Sequence, residues 1–61
     1  MLTEKRQEEI LNLLESKGSV TVQELTERFH ASESTIRRDL TVLHKKGDLV
    51  KVFGGAVQNT A

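Results

Sequence analysis

Apolar residues recur at helical spacing in three stretches of this chain and then give way to short, extended runs. Between residues 3 and 17, Ile10, Leu13 and Leu14 share one face with Leu11 at its margin, and Glu8, Glu9, Asn12 and Glu15 make the other side polar. This predicts a first helix with Thr3 as N-cap, Glu4 in the first turn, Lys17 in the last and Gly18 ending it. Arg6 precedes Ile10 by one turn and falls on the buried edge. An ion pair or a snorkelling stem is expected there, with a phosphate contact the lesser alternative. Ser19-Val20-Thr21 is short and β-branched and suits a brief strand. Thr21-Val22-Gln23-Glu24 fits a capping box, with Val20 and Leu25 as the hydrophobic staple, so a second helix is expected over about 22–29 with Leu25 and Phe29 as a core pair.

Only His30 and Ala31 separate this helix from Ser32, the expected N-cap of a third helix over about 33–46. So short a link makes consecutive helices cross steeply, as in a helix-turn-helix. His30 is expected at positive φ, which His tolerates better than most residues, rather than at a metal, because the chain has no cysteine and only one other histidine, His44. In the third helix Ile36, Leu40 and Leu43 lie within about 60° of one another and form a core stripe. Ser34, Arg38, Thr41 and Lys45 face the opposite way, with Arg37 at their edge. Glu33 and Arg37 are spaced for an i, i+4 pair, and Asp39, near the core stripe, is expected to anchor an Arg or Lys of a neighbouring helix. Lys45, Lys46 and Gly47 close the helix. Leu49 to Phe53, Gly54-Gly55 and Ala56 to Gln58 then read as two strands about a two-residue turn, since Gly-Gly satisfies positive φ. Val20 can supply a third strand, with Lys51 and the glycines at the tip of the hairpin.

The predicted fold is mainly α with a small β-hairpin: three helices, a short strand at 19–21 and a C-terminal two-stranded wing over about 48–58. That is a winged helix-turn-helix spanning 1–58, with 59–61 beginning a linker. Sixty-one residues make one domain near the lower size limit for a self-sufficient core, with no room for a large cleft. Without cysteine there is neither a disulfide nor a thiolate zinc site, and no run of consecutive apolar residues exceeds two, so a soluble, unexported chain is expected.

The net charge of zero argues against a nucleic-acid partner until its distribution is considered. Residues 1–29 hold four basic and six acidic side chains, and residues 30–61 hold five basic and three acidic, so the halves carry −2 and +2. The basic half contains the donor-rich face of the third helix. Arg or Lys can bridge guanine O6 and N7, and Ser or Thr hydroxyls can donate or accept, so that face suits the major groove of DNA. Taken by itself, the helix is equally compatible with an ordinary solvated face. Gly54-Gly55 lacks the Lys-Ser/Thr pair and the following helix of a phosphate loop. No serine or aspartate stands near His30 or His44 at triad spacing. The chain is read as non-enzymatic, with no cofactor and no metal.

Arg6 with Ile10-Leu11, Gly18-Ser-Val-Thr-Val-Gln-Glu-Leu25, Phe29-His-Ala-Ser32, Thr35-Ile-Arg-Arg-Asp-Leu40 and Gly54-Gly55-Ala56 together resemble the N-terminal DNA-binding domain of DeoR-type bacterial repressors. The resemblance covers nearly the whole chain, and its most specific part is T-I-R-R-D-L joined to G-G-A at this distance. It implies a winged helix-turn-helix, a bacterial cytoplasmic setting and operator binding as a dimer or higher oligomer. It also implies a longer parent protein whose C-terminal domain, absent here, senses a phosphorylated sugar or related metabolite. There are two departures from the family pattern: Lys51 and Phe53 stand where Arg and then His or Tyr are usual, and Ala31 replaces a larger aliphatic. The first change should weaken wing contacts, since Lys is a point charge rather than a fork, and the second should loosen packing beneath the turn. Arg38, Ser34, Thr35 and Thr41 are the candidate base-edge contacts, Arg37, Lys45 and Lys51 the candidate phosphate contacts, and Gly54 and Gly55 shape the wing. The rival reading is a winged helix that binds protein or dimerises through Val42, Val50 and Phe53.

Overall fold

The computed structural model describes residues 2–60. The elements follow as α1 (Thr3–Lys17), β1 (Ser19–Thr21), α2 (Val22–Phe29), α3 (Glu33–Lys45), β2 (Leu49–Val52) and β3 (Gly55–Gln58), the winged helix-turn-helix expected from the sequence. Among these residues no helix is long and apolar enough to cross a membrane.

Local chemistry sets most element boundaries. Thr21 Oγ1 accepts from the Glu24 N–H at 3.1 Å and Glu24 Oε1 accepts from the Thr21 N–H at 3.0 Å, the reciprocal capping box that starts α2. His30 ends α2 at φ 53°, in the left-handed region, and its N–H and that of Ala31 both reach the Thr26 carbonyl. Ser32 Oγ then accepts from the Thr35 N–H at 3.2 Å and starts α3. At the far end Gly47, at φ 82°, bonds the His44 carbonyl, and the Asp48 N–H bonds that of Leu43, which is a Schellman closure. Helix α3 therefore stops at Lys45, one residue before the expected end.

Three expectations are corrected. The N-cap of α1 is Leu2, with extended backbone and no side-chain bond, so Thr3 is the first helical residue and leaves the helix start without a side-chain acceptor. Leu13 is only half-buried, like Leu11, and the α1 contribution to the core is Ile10 and Leu14. The hairpin turn is Phe53-Gly54 rather than Gly54-Gly55, because Val52 pairs with Gly55 inside the ladder.

The reason for the last difference lies in the sheet. Its order is β1-β3-β2, all antiparallel, with Val20 opposite Ala56 and Thr21 opposite Gly55. Strand β1 passes so close that a Cβ on Gly55 would lie 2.0 Å from the Val20 carbonyl oxygen. Gly55 is thus a glycine of close approach, whereas Gly54, at φ 76°, supplies the turn. The Gly54 carbonyl accepts from the Val22 N–H at 2.8 Å, using one of the free donors at the start of α2 to tether the wing. The core between helices and sheet is built from Ile10, Leu14, Val20, Val22, Leu25, Ile36, Leu40, Leu43, Leu49 and Ala56, with Phe29 and Ala31 packed at its margin.

The two glycines are expected to fail differently. Gly55→Ala forces β1 and β3 apart and should cost about 3 kcal/mol, the upper end of overpacking. Gly54→Ala meets nothing within 4 Å and should cost about 1–2 kcal/mol of left-handed strain. Urea melts of both variants check the order.

Glu24 gives a pH prediction. Its hydrogen bond from Lys17 Nζ, at 2.7 Å, holds its carboxyl below the usual glutamate range, opposed by desolvation and aided by the Thr21 N–H and the Lys17 charge. A carboxyl depressed in the folded state adds stability that is fully present above the unfolded pKa and is lost as pH falls through the folded one. Glu24→Gln should therefore flatten the acid side of the melting-temperature profile while lowering stability at neutral pH.

Candidate nucleic-acid interface

Helix α3 is oriented by what it buries. Ile36, Leu40 and Leu43 are fully covered, and Asp39 lies on the same side with its side chain only 3% exposed. A carboxylate so placed needs partners. Arg6 of α1 supplies Nε to Oδ2 and Nη2 to Oδ1 at 3.0 Å, and Gln7 Nε2 donates to Oδ1 at 3.3 Å. The bidentate hydrogen bond from Arg6 raises its pKa further, and so does the Asp39 charge, against the opposing effect of desolvation. Arg6 and Asp39, separately expected to be structural, are thus partners in one buried pair. The Arg6 guanidinium is committed to it, which removes the alternative of a phosphate contact.

With Asp39 pinned inward, the 3.6-residue period turns its neighbours outward. Arg37 and Arg38 are exposed, as are Ser34 and Lys45. Arg38 and Lys45 have no ion-pair partner among the described residues, and Arg37 makes only an exposed 3.6 Å contact with Glu33, the expected i, i+4 pair. Thr35 is half-buried, and its Oγ1 accepts from Ser32 Oγ at 3.0 Å, which leaves its own O–H to donate. Thr41 is more occupied. Its O–H donates to the Arg37 carbonyl at 2.9 Å and its oxygen accepts from Lys51 Nζ at 3.0 Å.

Lys51 consequently lies over α3 and not at the tip of the wing, which Phe53 and Gly54 form. It shares the helix-facing side of β2 with buried Leu49, and its backbone N–H donates to His44 Nδ1 at 3.1 Å. This bond satisfies an amide of an edge strand and makes Nδ1 the acceptor nitrogen of the His44 ring. Gly55 is buried in the middle of the sheet, so its place is beneath the surface, while Gly54 is exposed. Arg37, Lys51 and Gly54 come together along a groove of about 280 Å³ between α3 and the wing, with Leu40 and Val52 among its apolar walls. Ser34, Thr35, Arg38 and Lys45 lie on α3 outside that groove. His44 is the contribution the sequence did not flag for this surface, since nothing local signals its bond to Lys51, and Phe53 is fully exposed.

Two helices joined by a tight turn, the second presenting cations and hydroxyls beside a tethered β-wing, define a winged helix-turn-helix of the DNA-binding class. The model of the DeoR-like helix-turn-helix domain matches residues 6–61, and the chain belongs to that family of DNA-binding transcriptional regulators. Over 59 residues, 97% of the chain, it is 44% identical to a lactose phosphotransferase system repressor of Streptococcus mutans, and over 92% of the chain it is 45% identical to the repressor of the same name in Staphylococcus epidermidis. It is also 47% identical over 58 residues, 95% of the chain, to a Bacillus subtilis protein described as the uncharacterized HTH-type transcriptional regulator FruR. The chain spans only 22 to 24% of the length of these relatives. No solved structure matches it.

The buried pair makes a direct prediction. Asp39→Ala leaves Arg6 uncompensated and should cost about 3–5 kcal/mol, a large part of the roughly 3 to 9 kcal/mol that a domain of this size has. Chemical denaturation and the dispersion of amide resonances check it, and a fully folded variant with unchanged midpoint would deny the pair its role in placing α3.

Proposed function

We propose that this chain is the operator-binding domain of a repressor of sugar uptake or metabolism, with α3 laid in the major groove of double-stranded DNA. The observation that carries the reading is the division of α3: Asp39 turned inward onto Arg6, and Arg37, Arg38 and Lys45 turned outward with Ser34. A face without its mid-helix acid can approach phosphates and base edges. Arg38 and Ser34 are the foremost base-edge contacts, with Thr35 donating its free hydroxyl. Thr41, whose hydroxyl is engaged on both sides, contributes its methyl group to a thymine contact and holds Lys51 in place. Arg37, Lys45 and Lys51 take phosphates, the exposed Gly54 amide adds one more, and Gly55 acts from beneath by letting the sheet close.

The names of the relatives, together with their greater length, support the rest of the reading. The domain belongs to a longer cytoplasmic protein, with residues 59–61 leading out of the 1–58 domain, that binds its operator as a homo-oligomer and releases it when a phosphorylated sugar occupies another domain. Two copies on two half-sites would compensate for the modest electrostatic attraction of a chain with zero net charge. The domain performs no catalysis of its own. Of the rival protein-binding patch, Val42 is half-buried and Val50 is 37% exposed, which leaves Phe53 as its one fully exposed member.

Titration of the ¹⁵N-labelled chain with duplex DNA at low salt tests the surface: amides of α3 and of Gly54 are expected to shift, and to relax as salt rises. An unmoved spectrum at high DNA excess would sink the reading. Arg38→Ala should relax sequence preference and cost about 1–3 kcal/mol on the preferred site. Lys45→Ala should weaken all duplexes alike and reduce the salt slope by about one. Equal losses for Arg38→Ala on every sequence would move that residue to the phosphate group.

A further inference from the structure

An antiparallel sheet with helices on one side ordinarily alternates apolar residues inward with polar residues outward. Strand β2 does the reverse. Its one charged residue, Lys51, lies on the helix side with Leu49, and Val50 and Val52 point into solvent, 37% and 43% exposed. Cross-strand pairing carries this pattern over the sheet. Val50 stands opposite Val57 of β3, and Val57 opposite Ser19 of β1, while Val52, Gly55 and Thr21 make the neighbouring row. The outward face is therefore three valines beside two hydroxyls and a glycine, without an ionisable side chain. Glu24, bonded to the Thr21 amide at the end of β1, is matched by Lys17 at 2.7 Å.

The edges of this sheet are closed, and its face is not. On the free side of β2 the Lys51 N–H is taken by His44. At β1 the Val22 N–H bonds across to Gly54, so the alternation of the ladder turns the Thr21 N–H to the outer edge, where Glu24 takes it. A further strand would find the middle of one edge and the end of the other already bonded. What remains open is the packing of one sheet face on another.

We propose that this face is a contact between two copies of the chain, packed valine to valine about a two-fold axis. Such an axis sets one patch against itself, so residues close to it meet their own kind. Charged side chains would repel there, and valines with serine and threonine do not. A polyanion finds no counter-charge on this face, and a charged protein surface would bury its ions against it without partners. Three strands about 4.8 Å apart and four residues of about 3.4 Å each give a patch of roughly 10 by 13 Å, far below the about 800 Å² per partner of a stable complex. Free chains therefore pair weakly, in the millimolar range. The contact operates where copies are held close, since tethering supplies effective concentrations of that order.

The test uses the 61-residue chain without DNA, with ¹⁵N spectra recorded from about 0.05 to about 3 mM, a range that brackets weak pairing. Amides of Ser19, Thr21, Val50, Val52 and Val57 should shift together along one monomer–dimer curve, and those of Ser34 and Arg38 on α3 should stay in place. Val50→Lys and Val50→Glu should each weaken pairing about tenfold through like-charge repulsion, with melting temperatures close to the parent's because Val50 is exposed. An equimolar mixture of the two variants should pair at least as well as the parent chain, because so small a patch keeps the opposite charges within a Debye length. Spectra that do not change with concentration would overturn the proposal. So would shifts centred away from the sheet, or a mixture that pairs no better than either variant alone. Each of these results leaves the titration of α3 with DNA free to succeed or fail by itself.

Discussion

The Arg6–Asp39 pair is the constraint on which the arrangement of the outward face of α3 depends. A carboxylate in the middle of α3, with its side chain 3% exposed, can exist as an ion only where a cation and further donors meet it, and α1 provides them from Arg6 and Gln7. Such a pair gives little net stability over an apolar substitute, since desolvation cancels most of its attraction. What it provides is orientation. Only one rotation of α3 matches the buried charges and at the same time buries Ile36, Leu40 and Leu43. In that rotation Arg37 and Arg38 point away from the core.

A second set of contacts makes the wing and α3 one surface. Strand β1 presses against β3 at Gly55, the turn carbonyl of Gly54 is tied to α2, and Lys51 reaches α3 twice, through its amide to His44 and through its ammonium to Thr41. Each bond satisfies a group that would otherwise be spare: an edge-strand amide, a helix N-terminal donor, a turn carbonyl. Backbone accounting and functional placement therefore coincide. An isolated hairpin of two four-residue strands is marginal in water, but here it is held by a third strand and two helices. Cations and hydroxyls on such supports present fixed positions to a ligand, which lowers the ordering cost of binding.

Charge distribution completes this picture. The whole chain is neutral, yet its acids are concentrated in α1 and α2 and many of its cations lie on α3 and β2. Two of the acids have structural duties: Glu24 caps α2 and pairs with Lys17, and Asp39 is buried. Neutrality thus says little about the field at the outward face of α3.

The sequence by itself determined what depends on residues within a turn or two of one another. The core stripe of α3, the capping box at Thr21 and Glu24, the left-handed His30, the Ser32 cap, the Gly47 closure and the exposed arginines of α3 were all legible, because periodicity and caps are local physics. So was the third strand at Val20, where β-branched residues interrupt the helical pattern. The bounds of α1 were legible, but its N-cap was misplaced by one residue, because Leu2 can cap a helix through its backbone without any side-chain bond to announce it. Tertiary structure alone decided which partner Asp39 takes, 33 residues away, and that Thr41 and His44 brace Lys51 across the chain reversal. It also decided the hairpin register: two adjacent glycines look alike in sequence, and only the Val20 carbonyl, brought against one of them by the fold, distinguishes the glycine that turns from the glycine that must have no side chain.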